Sequence, residues 1–101
     1  MVKKKMNEAE IDRIIRNMGE FERWKVSVSA KLGEMWFKLS WKDPNDVKKR
    51  VAIEHIVRML DLIHTPKQSN LQPVLDALKN IGMSELVPDM DMLNEWYKGN
   101  Y

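Results

Sequence analysis

Between residues 24 and 42 apolar and polar side chains alternate more regularly than anywhere else in the chain. One set is Trp24, Val26, Val28, Ala30 and Leu32, continuing beyond Gly33-Glu34 as Met35, Phe37, Leu39 and Trp41. The other is Lys25, Ser27, Ser29 and Lys31, then Trp36, Lys38, Ser40 and Lys42. A period of two marks a half-buried strand, and a Gly-X pair suits a two-residue type II′ turn. The pattern predicts a β-hairpin turning at Gly33-Glu34. In that register Ala30 faces Phe37, Val28 faces Leu39 and Val26 faces Trp41, so these inner pairs are apolar. A slip by one residue would set lysines against the core. Phe21, Trp24, Val28, Leu32, Met35, Trp36 and Leu39 also fit a helical stripe. Val-Ser-Val-Ser and a central glycine are poor helix material, however, and the hairpin is the expectation.

Helical spacing governs the remainder. Asn7 is a good N-cap with Glu10 three residues on. Ile11, Ile14, Ile15 and Met18 then predict a helix over 8–18, closed by Gly19. Asp43-Pro44 opens a second helix, with Asp43 as cap and Pro44 at the first helical position. Val51, Ala52, Ile53, Ile56, Val57, Met59, Leu60, Leu62 and Ile63 cover most of its circumference, which predicts a central helix ending near His64. Leu71, Val74, Leu75, Leu78 and Ile81 form the stripe of a third helix, closed by Gly82. Pro73 is acceptable only in the first turn, which puts the cap at Ser69 or Asn70. Ser84 or Pro88 opens a fourth helix, carrying Leu86, Met90, Leu93 and Tyr97 and ended by Gly99.

The predicted order is α-β-β-α-α-α. It describes one small α+β domain over 7–101, with an amphipathic hairpin packed on a mainly helical body, preceded by a basic flexible N-terminus at 1–6. Two strands alone are not stable in water. The hairpin must therefore lie on helices, and pairing of its open edges between two copies predicts a homodimer.

A chain of 101 residues makes one domain, and the 44% hydrophobic and 32% charged fractions suit an ordinary soluble protein. With no cysteine, disulfides and thiolate metal sites are excluded. The lysines at 3–5 lead into polar residues, not an apolar run, so no secretory signal or membrane span is expected, and the cytoplasm is the default compartment. Charge is unevenly shared. Residues 1–50 carry 13 Lys and Arg against 8 Asp and Glu, and residues 51–101 carry 4 against 7. The first half suits an anionic partner better than the second.

The outer hairpin face is the leading candidate site. Lys25, Lys31, Lys38 and Lys42 would supply charge and Trp36 would stack, a combination that suits phosphates and bases. Lys48, Lys49 and Arg50 on the next helix would extend it, with Asp43 and Asp46 diluting the field. The first expectation is a non-enzymatic regulator engaging nucleic acid or a nucleic-acid-handling protein. The alternative is a protein-interaction module, an inhibitor or adaptor, anchored by tryptophan and methionine. Trp24, Trp41, Trp96, Met59, Met90 and Met92 are read as core first.

Catalytic residues, cofactors and metals are not expected. His55 and His64 point away from one another on one helix. Asp89, Asp91 and Glu95 cluster near a helix start, where acids are commonplace, and no nucleophile accompanies them. Gly82 and Ser84 resemble the turn of a helix-turn-helix, but the following helix would present those same acids to DNA.

Overall fold

Most of the stretch expected as a hairpin, up to Lys38, belongs to a single helix. The computed structural model describes residues 19–101, and α1 occupies Glu20–Lys38. It is followed by α2 (Pro44–Leu62), α3 (Gln68–Asn80), a short 3-10 helix (Ser84–Leu86) and α4 (Met90–Tyr97). No strand occurs among the described residues, so the α+β class and the order α-β-β-α-α-α are replaced by an all-helical one. The helix expected over 8–18 and the basic N-terminus at 1–6 lie outside the described residues. Edge-to-edge strand pairing as a route to a homodimer loses its basis.

The physical reason lies in which period buries more. As strands, 24–42 would have formed one ribbon with both edges open and no third strand to join. As a helix, Phe21, Val28 and Leu32 reach full burial on one face, with Trp24, Met35, Trp36 and Leu39 packed beside them. Four of the nine residues of the supposed inner face then turn outward: Ala30 is exposed, and Val26 is 54% exposed, Phe37 81% and Trp41 74%. The first turn carries Glu20 and Glu22 and the last carries Lys38, as the helix dipole favours.

α2 begins as the sequence indicates. The Asp43 side chain accepts from the Asn45 and Asp46 amides, and Pro44 holds the first position. Ile53, Ile56 and Leu60 are buried, yet Val51 and Leu62 are exposed. The helix is therefore not central, and one side of it meets water. α3 starts at Gln68, earlier than expected, because the Asn70 side chain reaches back to accept from the Lys67 amide. Pro73 thus falls inside the helix. Gly82 and Gly99 close α3 and the C-terminal helix with φ of +79° and +102°, the left-handed region that favours glycine. Asp89 caps α4 by accepting from the Met92 amide.

α1 and α2 run antiparallel, and each lends the other a cation at its C-terminal end. Lys25 of α1 donates to the Ile63 carbonyl, just past α2, at 2.7 Å. Arg50 of α2 donates to the Leu39 carbonyl, just past α1, at 3.2 Å. The carbonyls at a helix end carry partial negative charge and lack intrahelical donors, so cations are favoured there. α2 has no basic residue in its own last turn, and Lys25 supplies the missing charge from across the interface.

The opposite end of α1 is closed by aromatics. The Phe21 and Trp96 rings meet edge-on at 5.3 Å, and Trp24 tilts against Trp96 at 5.6 Å. The Trp24 indole donates to the Leu86 carbonyl at 2.8 Å, pinning the 3-10 helix to α1. Gly19 opens α1 where the Tyr101 backbone crosses, and a Cβ there would collide with the Tyr101 carbonyl.

Gly33 separates the two folds experimentally. It lies mid-helix with helical φ, and an added Cβ meets nothing within 4 Å. Gly33→Ala is expected to stabilise the protein by about 0.5–1 kcal/mol through helix propensity. A type II′ hairpin, which needs a positive φ at that glycine, would instead be destabilised. Urea unfolding of the two proteins reads the sign.

Candidate functional site: an aromatic corner between α1 and α2

Helical geometry disperses the residues of the supposed hairpin face. Lys31 and Lys38, seven residues apart, share one stripe of α1 and flank a shallow hollow over Met35 and Met83. Lys25 points elsewhere, into the α2 end, where it is half-buried and held by Ile63, by Glu22 at 3.3 Å and by the Phe21 ring. It is a structural cation and not a docking group. Trp36 shares the α2-facing side of α1 and is half-buried, with its indole nitrogen out of contact with water. The expected exposed stacking residue is therefore part of the interhelical packing. Arg50 is 5% exposed and equally unavailable to a partner in this conformation. Lys42, Lys48 and Lys49 are exposed around the loop and the first turns of α2.

What the tertiary structure assembles in place of the hairpin face is a corner at the α1–α2 junction. The Arg50 guanidinium carbon lies 3.4 Å from the Trp41 ring centre and 3.8 Å from that of Trp36. The two rings meet at 77° with centres 5.7 Å apart, so the guanidinium fills the angle between them. Phe37 sets its ring edge-on to Trp36 at 5.2 Å. Arginine suits this place because its planar, weakly hydrated head stacks on aromatic faces. No carboxylate among the described residues pairs with it. The loop beneath is fixed by its own hydrogen bonds. Ser40 Oγ accepts from the Lys42 and Asp43 amides, and the Asp46 carboxylate accepts from the Ser40 amide at 2.9 Å.

The outward side of this corner is apolar. Trp41 and Phe37 are largely exposed, and Val47 and Val51, on a stripe of α2 beside that of Arg50, are exposed as well. Lys38, Lys42, Lys48 and Lys49 surround them, with Asp43 and Asp46 as the nearby acids. Behind the corner, a groove of about 390 Å³ runs between the helices, lined by Trp36, Ile53 and Val57, with Glu54, Arg58 and Asp61 at its rim. Gly33 leaves that groove open, since it offers no side chain to fill it.

Trp41 is the residue that sequence reasoning missed, because alternation assigned it to the core. Its neighbours held the signal: Ser40, Asp43 and Pro44 mark a loop, where a large aromatic has no helix or strand to bury it. Met90 is likewise exposed instead of core, whereas Trp96 is fully buried as expected. Two of the three acids around α4 have structural duties. Asp89 is its cap, and Glu95 lies 3.8 Å from Lys98 and accepts from the Asn100 side chain. Burial raises the pKa of the Tyr97 phenol above its ordinary value. Among the described residues no cluster of three metal-ligating side chains occurs, and no helix is long and apolar enough to cross a membrane.

If Lys25 is structural and Lys31 and Lys38 are not, alanine substitution separates them. Lys25→Ala is expected to cost about 1–2 kcal/mol in chemical denaturation, the scale of a lost charge-assisted hydrogen bond. Lys31→Ala and Lys38→Ala are expected to stay within about 0.5 kcal/mol of the parent. Comparison of the chain with protein-family models, with curated proteins and with solved structures returns no match.

Proposed function

We propose that the chain is a non-enzymatic, cytoplasmic interaction module that binds a protein partner through the aromatic corner of α1 and α2. The observation that carries this reading is Trp41, 74% exposed beside Phe37 at 81%, on a loop with its backbone tied down. Large apolar side chains exposed together mark interaction surfaces more often than isolated ones do. Tryptophan is also the side chain most enriched among residues that dominate binding energy. Val47 and Val51 widen the apolar area, and the surrounding lysines favour a partner with acidic flanks.

A second reading, nucleic acid, is favoured by one observation: Lys38, Lys42, Lys48 and Lys49 lie around an exposed indole able to stack on a base. Asp43 and Asp46 in the same corner weaken it by repelling phosphate.

Selection of peptides from a random displayed library against the folded chain, counter-selected on Trp41→Ala, tests the first reading. The expected result is a family of peptides with apolar anchors whose affinity falls at least tenfold for Trp41→Ala or Phe37→Ala, in line with hot-spot losses of about 2 kcal/mol or more. Enrichment of no peptide dependent on Trp41 would remove it. The nucleic-acid reading predicts instead a steep loss of oligonucleotide binding between low and moderate salt, lessened by each lysine replaced. Binding insensitive to salt would end that alternative.

A further inference from the structure

We infer that the Arg50 guanidinium is a carboxylate-binding site covered by Trp41, and that the carboxylate arrives on an acidic side chain of the protein docking at this corner. The inference rests on the interaction-module reading and names the chemistry of its partner. It starts from two buried donors that lack acceptors. Arg50 is 5% exposed, with Nη1 donating to the Leu39 carbonyl and Nη2 without an acceptor among the described residues. The Trp36 indole nitrogen is also buried and unpartnered, and it belongs to the ring 3.8 Å from the guanidinium carbon. Both donors therefore lie in one corner. Burying an unsatisfied donor is costly, and an unpaired buried cation more so.

Among the described residues, the acids beside the corner do not answer this demand. Asp43 is committed to the α2 amides and Asp46 to the Ser40 amide. On the loop, Trp41 lies against Arg50 through its ring face and is itself 74% exposed. Swinging that ring aside gives up a cation–π contact. With the ring moved off the guanidinium face, a carboxylate approaching Nη2 replaces that contact with charge-assisted hydrogen bonds, which are stronger. Carboxylate fits better than a phosphate chain because Asp43 and Asp46 stand beside the opening. One side-chain charge flanked by apolar groups suffers less repulsion there than a run of phosphates. Phe37, Val47 and Val51 give such apolar groups somewhere to go.

Acetate is the first probe, titrated into isotope-labelled full chain at constant ionic strength with chloride as control. The Trp36 indole N–H and Arg50 side-chain signals are read by NMR. Saturable, acetate-specific shifts are expected, at several-fold lower concentration in Trp41→Ala, where the cover is gone, and none in Arg50→Lys. Thermal melting of both variants establishes that they are folded. The second arm takes a peptide selected on the corner and compares its Glu→Gln form, for which at least about tenfold weaker binding is expected from loss of one charge-assisted pair. Absence of acetate-specific shifts in Trp41→Ala overturns the site, as does saturation by inorganic phosphate at lower concentration than acetate. Equal affinity of the Glu and Gln peptides overturns it too, while leaving the interaction-module reading intact. If no peptide is selected at all, that reading falls, and the acetate titration still decides the fate of Arg50.

Discussion

The antiparallel contact between α1 and α2 depends on two cations exchanged across it. Lys25 binds the carbonyl at the end of α2, and Arg50 binds the carbonyl at the end of α1. Each interaction satisfies a carbonyl for which the accepting helix has no donor of its own. Together they fix the register of the pair at both ends, and the buried apolar side chains between them, Val28 and Leu32 against Ile53, Ile56 and Leu60, fill the span. Neither cation is spent on a strong internal ion pair. Lys25 has only the half-exposed Glu22, and Arg50 has aromatic rings.

The two cations leave the ends of α1 in different states. At the N-terminal end, Phe21, Trp24 and Trp96 pack together beside α4 and the 3-10 helix; the Trp24 indole donates to the Leu86 carbonyl, while the Trp96 indole nitrogen is buried without a partner among the described residues. At the C-terminal end, Trp36, Phe37 and Trp41 gather around Arg50, but no further element covers them among the described residues. The same residue types thus serve packing at one end and present a surface at the other. What differs is whether a later segment of the chain comes back to cover them. α4 does so for the first cluster, and nothing described does so for the second.

Several features were legible in the residues themselves. Asp43-Pro44 opens α2, Gly82 and Gly99 close their helices, and Leu71, Val74, Leu75 and Leu78 of the α3 stripe are buried as spaced. These succeed because capping and left-handed closure depend on one or two neighbouring residues, and because helical stripes over a dozen residues leave little ambiguity. Six of the expected site residues, Trp36, Lys38, Lys42, Lys48, Lys49 and Arg50, also fall near one corner, though for a reason unrelated to a strand face. They are close because α1 ends where α2 begins, and a short loop brings the two ends together whatever the first element is.

The identity of that first element was decided only by tertiary structure. Residues 24–42 satisfy a period of two and a period of 3.6 at once, and local propensity, with its Val-Ser-Val-Ser run and central glycine, leans toward the wrong one. A lone hairpin cannot pair its edges. A helix satisfies its backbone within itself and needs only one buried face, which Ile53, Ile56 and Leu60 on α2 and the aromatic of α4 supply. Partner surfaces of that kind are set by distant residues, and no window of the sequence contains them. The exchange of roles between Trp36 and Trp41 follows from the same fact: on a strand the first faces out and the second in, whereas on a helix followed by a loop their positions are reversed.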